Sequence, residues 1–391
     1  MAVTRHIFCR SITGLTLKLS AAWLILLFFT VSTVNAAVLP EERVDALYHN
    51  YTGGGITVDG PSILVRKNFA DTVSVSANYY VDNITSASID AVTQASEYTE
   101  QRVQQSVGVD YLNDSSTITF SYTSSIESDY EAATTYFGIS QEMFGGMTTV
   151  SLGFTQGDNI VMQTGKDDFR DFATFRNYRA SLAQVLTKNL ILSLTYDAIT
   201  DEGFLNNPYR QVRYSDGSGG YLFQPERYPR TRTSNAASFN LRYFLPYRAA
   251  IYGGYRYFVD DWNIKSDTFE TGYVHPLGDN WIIEASLRYY VQTQANFYND
   301  LFPYFDAQNY LARDKELSDF SNYSFGLGLS YDFESDNLLI FERGSANLYF
   351  TYINFTYNNF RDIRVTGVNA GDEPLYSFSA VVTRLYFSFW F

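Results

Sequence analysis

The chain has 391 residues, 17% of them aromatic with 33 Tyr and 31 Phe, and a formal net charge of −14. Such acidity argues against a nucleic-acid partner, since phosphate backbones are held by clustered Lys and Arg. Mean hydropathy is −0.18, and past residue 36 no apolar run is long enough for a helical membrane span.

The N-terminus reads as an export signal. Arg5, Arg10 and Lys18 supply positive charge, Leu19 to Val31 an apolar segment, and Val34-Asn35-Ala36 small residues for cleavage near Ala36. Cleavage would remove Cys9, the single cysteine, leaving no disulfide or thiol chemistry. Losing three basic and no acidic residues takes the formal charge to −17, 25 Lys and Arg against 42 Asp and Glu.

Residues 37–70 are expected to form a short periplasmic or lumenal segment, because Gly53-Gly54-Gly55 and Gly60-Pro61 break any regular pattern. An extra barrel strand over 56–67 would make the count odd and move the long loops to the other side.

From Asp71 onward residues alternate between apolar and polar, which places them on opposite faces of a strand. Val73, Val75, Ala77, Tyr79 and Val81 oppose Ser74, Ser76, Asn78 and Asp82. Val107, Val109 and Tyr111, then Ile118, Phe120 and Tyr122, flank a tight Asn113-Asp114 turn. The pattern recurs through Leu190–Tyr196, Phe239–Leu245, Trp281–Val291 and Tyr323–Tyr331. Over 346–357 both registers are apolar, and a bulge is one reading.

Short turns near 113–115, 144–146, 188–189, 246–247 and 276–279 alternate with longer polar segments, among them 83–100, 126–131, 157–173, 201–230, 260–267, 294–318 and 358–375. This predicts an all-β, transmembrane, antiparallel up-and-down β-barrel over 71–391. It would have about 14 strands (12–16), with short periplasmic turns and long extracellular loops. Tyr79, Tyr111, Tyr196, Trp281, Tyr331 and Trp390 would suit the interfacial girdles.

Charged residues fall on the polar register: Arg102, Asp110, Arg179, Asp197, Arg242, Arg256, Glu270, Glu284, Arg288, Asp332 and Arg384. Facing lipid they would cost several kcal/mol, so they are predicted to line the lumen. Either they border a water-filled pathway, or they pair and hold a narrow barrel shut. Small lumen positions such as Ser106, Gly153, Gly272, Gly326 and Gly328 leave room and favour a passage.

Signals of catalysis are weak. Of the two histidines past the export signal, His49 lies in the N-terminal segment and His275 in a predicted periplasmic turn, so no enzyme is expected. No metal site or cofactor is expected either. Acidic pieces such as Asp167-Asp168 read as solvated loop charge.

The last strand has Leu385, Phe387, Phe389 and Phe391 at alternate positions. This ending resembles the closing-strand signal of bacterial outer-membrane β-barrels. The resemblance implies outer-membrane lipids and the barrel-insertion machinery as partners. The glycine-rich opening, the G-P-S-x-L-V-R-K segment at 60–67 and V-S-V-S-A-N-Y-Y-V-D at 73–82 resemble a bacterial outer-membrane barrel family classed as a domain of unknown function. That resemblance implies location and fold, and a periplasmic partner linked to extracytoplasmic flavin or redox chemistry; no site residue carries over. The expected function is a channel or solute transporter in the outer membrane. The alternative is a closed structural or assembly barrel that docks a periplasmic partner.

Overall fold

Strands that are apolar on one face and polar on the other must hide an apolar face and pair every backbone group. Here they do both by closing on one another. The computed structural model describes residues 37–86, 98–334 and 340–391; the export signal and its cleavage near Ala36 lie outside the described residues. In chain order the strands are β1 (Arg43–Gly53), β2 (Ile56–Phe69), β3 (Val73–Ser86), β4 (Tyr98–Asn113), β5 (Ser116–Ile126) and β6 (Tyr130–Met143). Then come β7 (Thr148–Met162), β8 (Arg170–Thr187), β9 (Leu190–Gly203), β10 (Gln211–Ser215), β11 (Tyr221–Pro225) and β12 (Thr231–Phe244). The last six are β13 (Ala250–Asp260), β14 (Lys265–Leu277), β15 (Trp281–Gln292), β16 (Phe320–Glu334), β17 (Arg343–Arg361) and β18 (Leu375–Trp390). All but β10 and β11 form one closed antiparallel barrel of sixteen strands; β10 and β11 make a separate hairpin.

Closure falls between the two ends of the sequence. β18 pairs with β1 from Arg43↔Trp390 to Gly53↔Ala380. The expected N-terminal segment is therefore wall, and the count rises from about 14 to sixteen. Two strands were hidden, not one, so parity is kept and the long loops stay on their side. β2 escapes a pattern search because Gly60 and Pro61 interrupt it. A closed barrel tolerates both: Pro61 points outward, and a side chain at Gly60 would run into the Val81 carbonyl.

The register gives each face its role. Val65, Val107, Phe120, Phe137, Leu152, Leu194, Phe239, Leu287, Leu327, Leu348 and Phe387 all stand exposed on the outer register. Tyr79, Tyr111, Tyr196, Trp281 and Tyr331 are exposed there too. Trp390 instead sits on the inner register under Arg343, whose guanidinium lies 4.5 Å from its ring. The doubly apolar β17 shows outward Leu348 and Phe350 and inward Phe355 and Tyr357. Its register shifts between Thr356 and Arg361, at the far end of the stretch in which a bulge was one reading.

Loop lengths are less regular than the sequence suggests. The side with extended connections also holds the two-residue Gly54-Gly55 turn and short links at 127–129 and 261–264, because strands run on past the apolar band. If β1 and β2 are wall, deleting residues 43–69 leaves no heat-modifiable folded band on a denaturing gel. A dispensable segment would leave that band intact.

Candidate functional site

Inward side chains form a continuous cross-strand row through the closing seam. Glu284 on β15 stands opposite Gly328, Gly328 opposite Tyr349, and Tyr349 opposite Arg384. Arg384 then faces His49, and His49 faces Gly60; beyond Gly60 come Asp82 and its partner Arg102. The two glycines make the reach possible. Tyr349 lies over Gly328 and donates to Glu284 at 3.4 Å. Across Gly60, His49 Nε2 meets Asp82 Oδ1 at 2.7 Å.

Asp82 is the buried anchor of this row, at 1% exposure, and takes both His49 and Arg102. Tyr80 stacks on the His49 ring at 4.9 Å, its hydroxyl 3.1 Å from Nε2. His49 is thus a lumen-wall residue on β1 and not part of a separate segment. His275 is on β14 and not in the turn, with the Tyr273 hydroxyl 2.9 Å from its Nδ1.

Several of the small lumen positions are filled by rings. A Cβ at Gly272 would meet Tyr252, and Gly153 lies under Tyr136. Tyr252 donates to Glu284 at 3.0 Å. These glycines seat tyrosines flat on the wall, so they do not by themselves widen the lumen.

The predicted charged positions fall into two groups. Along the wall, Arg179 Nε donates to Asp197 Oδ1 at 2.7 Å, and Asp110 accepts from Arg66 at 2.9 Å and Thr119 at 2.7 Å. Arg102 pairs with Asp82. These pairs join adjacent or next-but-one strands, so they follow the wall and do not cross the lumen. In the second group Arg242, Arg256, Arg288 and Arg384 lie 5.4 to 5.9 Å from the rings of Tyr252, Phe258, Tyr290 and Tyr349. None of these four has a carboxylate within 4.0 Å among the described residues. Asp332 is exposed on β16 near the short-turn rim.

At the opposite rim the long connections fold into a cap. Arg213 on β10, 0% exposed, is gripped by Asp300 and by Glu373 in a bidentate pair. Its Nε also donates to the Asp300 carbonyl at 2.9 Å. Arg313 Nε donates to Asp300 Oδ1 at 3.1 Å. Beside this network Tyr228, Trp262, Phe297, Leu317 and Phe360 form an apolar core. Inward-facing Phe258, Tyr290, Phe355 and Phe378 pack against that core, so the loops dip into the mouth. Arg66, His49 and the cap residues were missed in the sequence: the first two sit in a stretch broken by glycine and proline, and the cap has no strand period.

These features define an outer-membrane β-barrel protein, with an apolar outer face, a charged inner wall and one rim covered by its own loops. The chain belongs to the family described as protein of unknown function (DUF3570), whose profile matches residues 94–342. The match begins beyond the 53–82 stretch on which the sequence resemblance rests.

Among solved structures the chain is similar to a "Bacterial polysaccharide outer membrane secretin" at 8% identity and TM-score 0.49, covering 90% of this chain and 100% of that one. It is similar to the CymD monoaromatic hydrocarbon channel at 10% identity and TM-score 0.43, covering 90% and 89%. The P. putida toluene transporter TodX gives 12% identity and TM-score 0.42, covering 90% and 91%. No likeness here is close enough to transfer a ligand or an activity. A search of curated proteins finds no match.

Two outcomes test the geometry. Asp82→Asn strips the charge from a buried pair and should lower unfolding stability by about 3 kcal/mol, read by urea titration of the detergent-folded barrel. In the cap, burial pushes the Glu373 carboxyl up, but hydrogen bonds from Arg213 and the Gly371 N–H outweigh it and hold it below its ordinary 4.5. A lowered carboxylate contributes stability above its unfolded value and loses it as pH falls through the folded one. Amide exchange over 211–225, corrected for intrinsic rate, should therefore rise below about pH 4.

Proposed function

We propose that this barrel conducts small solutes across the outer membrane, through a lumen entered past the folded loops. The observation that carries the reading is Arg242, Arg288 and Arg384: they face inward, are exposed, and have no ion-pair partner among the described residues. A barrel locked by charge would pair such groups across the interior, since an unpaired guanidinium in a dry core is strongly unfavourable. A sixteen-stranded wall is also wide enough to hold water. This reading gives the chain no enzymatic role. His49 Nε2 is occupied by Asp82 and Tyr80, with no serine or threonine among its described hydrogen-bond partners.

The cap favours a second reading, a closed barrel that docks a periplasmic protein. At the short-turn rim the leading segment is fastened, Glu41 to Arg343 at 2.7 Å and Glu42 to the Asn68 N–H at 2.8 Å, while Val38 stands 84% exposed. The kind of partner, one linked to extracytoplasmic flavin or redox chemistry, is what the sequence resemblance implies.

Planar-bilayer recording separates the two. A conduit gives steady ionic currents, and Arg242→Ala or Arg288→Ala shifts the reversal potential towards cations. Silent bilayers, with a periplasmic protein retained on the purified barrel, would establish the second reading and end the first.

A further inference from the structure

Beneath the cap, against β1, β2 and β15 to β18, lies a cavity of about 460 Å³. Six of its lining residues carry aromatic rings. Phe355 stacks on Phe378 at 4.6 Å, and Phe320 lies against Tyr357 at 5.2 Å. Two parts of the chain meet here: the wall contributes Arg288 and Asn322, and the cap's Lys315–Leu317 turn contributes Lys315 and Glu316. A cavity of this size, in which aromatic rings face a cluster of charged and amide side chains, is large enough for a small molecule with one apolar and one polar end.

The polar contribution is lopsided. Arg288 donates to Asn322 Oδ1 at 3.3 Å and lies 5.4 Å over the Tyr290 ring, contacts that leave its charge uncompensated. Glu270 stands directly opposite it in the strand register, yet beyond ion-pair distance. A planar guanidinium at the edge of an aromatic chamber matches one chemistry: a carboxylate that takes the fork, joined to a flat apolar body that fills the ring-lined space. Glu316, reaching the cavity from the cap, works against a dianion such as phosphate.

We infer that this cavity binds small amphipathic monoanions of the aromatic-carboxylate class, with Arg288 as the carboxylate anchor. The inference rests on the conduit reading only for how the ligand arrives, not for whether it binds. Tyr290, Phe355 and Phe378 clamp the flat portion. Asn322 holds the guanidinium in place, and Lys315 and Glu316 bring the cap to bear on the ligand.

The test is isothermal titration of the full, detergent-folded barrel with 2-naphthoate, beside its neutral isostere 2-naphthamide. Expected is saturable naphthoate binding, with naphthamide at least about tenfold weaker and Arg288→Gln lowering naphthoate affinity by about tenfold, the scale of a charge-assisted hydrogen bond. Phe355→Leu, which keeps the cation, should also weaken naphthoate. It serves as the second variant should Arg288→Gln lose its heat-modifiable folded band. Equal binding of the acid and the amide, or unchanged affinity in a folded Arg288→Gln or Phe355→Leu barrel, overturns the inference. Bilayer recording on the same preparation keeps the two readings apart. Saturable binding with silent bilayers removes the conduit and leaves the site, whereas current without binding does the reverse.

Discussion

A strand in lipid has no water to satisfy its N–H and C=O groups, so every one of them needs a neighbouring strand. That requirement organises this molecule. It explains why β1 and β2, weak in pattern and broken by glycine and proline, are wall: without them β18 and β3 would face lipid with open edges. It also explains why the aromatic last strand pairs along its length with the first. Side-chain alternation then follows from closure, since a closed wall has only an outside and an inside.

Inside, backbone geometry and charge are joined through glycine. Where Gly60 and Gly328 remove a side chain, His49 and Tyr349 cross a strand to reach Asp82 and Glu284. The resulting row of alternating charge girdles one side of the wall across the seam. Arg242, Arg256, Arg288 and Arg384, on β12, β13, β15 and β18, are instead left with a ring beside each guanidinium and no ion-pair partner among the described residues. The polarity of the lumen is therefore uneven: Asp82, Asp110 and Asp197 are ion-paired along β2 to β9, whereas Arg242, Arg288 and Arg384 have no ion-pair partner among the described residues.

Much of this was legible in the sequence, for definite reasons. Period-two stripes such as Trp281-Ile283-Ala285-Leu287 and Tyr323–Tyr331 can belong only to strands with one apolar face, and the chemistry of lipid decides which face is outside. The predicted charged positions fall on the inner register because that stripe excludes them from the outer one. The first hairpin was illegible because Gly60 and Pro61 break β2, and Leu47 and Leu64 on the inner register blur the contrast with outward Tyr48, Ile63 and Val65. Filled glycines were misread as space because a sequence does not say which neighbouring ring will lie over them. The cap was invisible for a third reason: Arg213, Asp300 and Glu373 meet through tertiary contact alone, without periodicity.

That last meeting spans great distances along the chain. Arg213 lies 87 residues before Asp300 and 160 before Glu373. Loops belonging to three different hairpins must all be present before the network can form, and the latest of them joins β17 to β18. The network therefore needs the same terminal hairpin that shuts the wall, since β18 also pairs with β1, so an intact cap at this rim implies a closed cylinder beneath it.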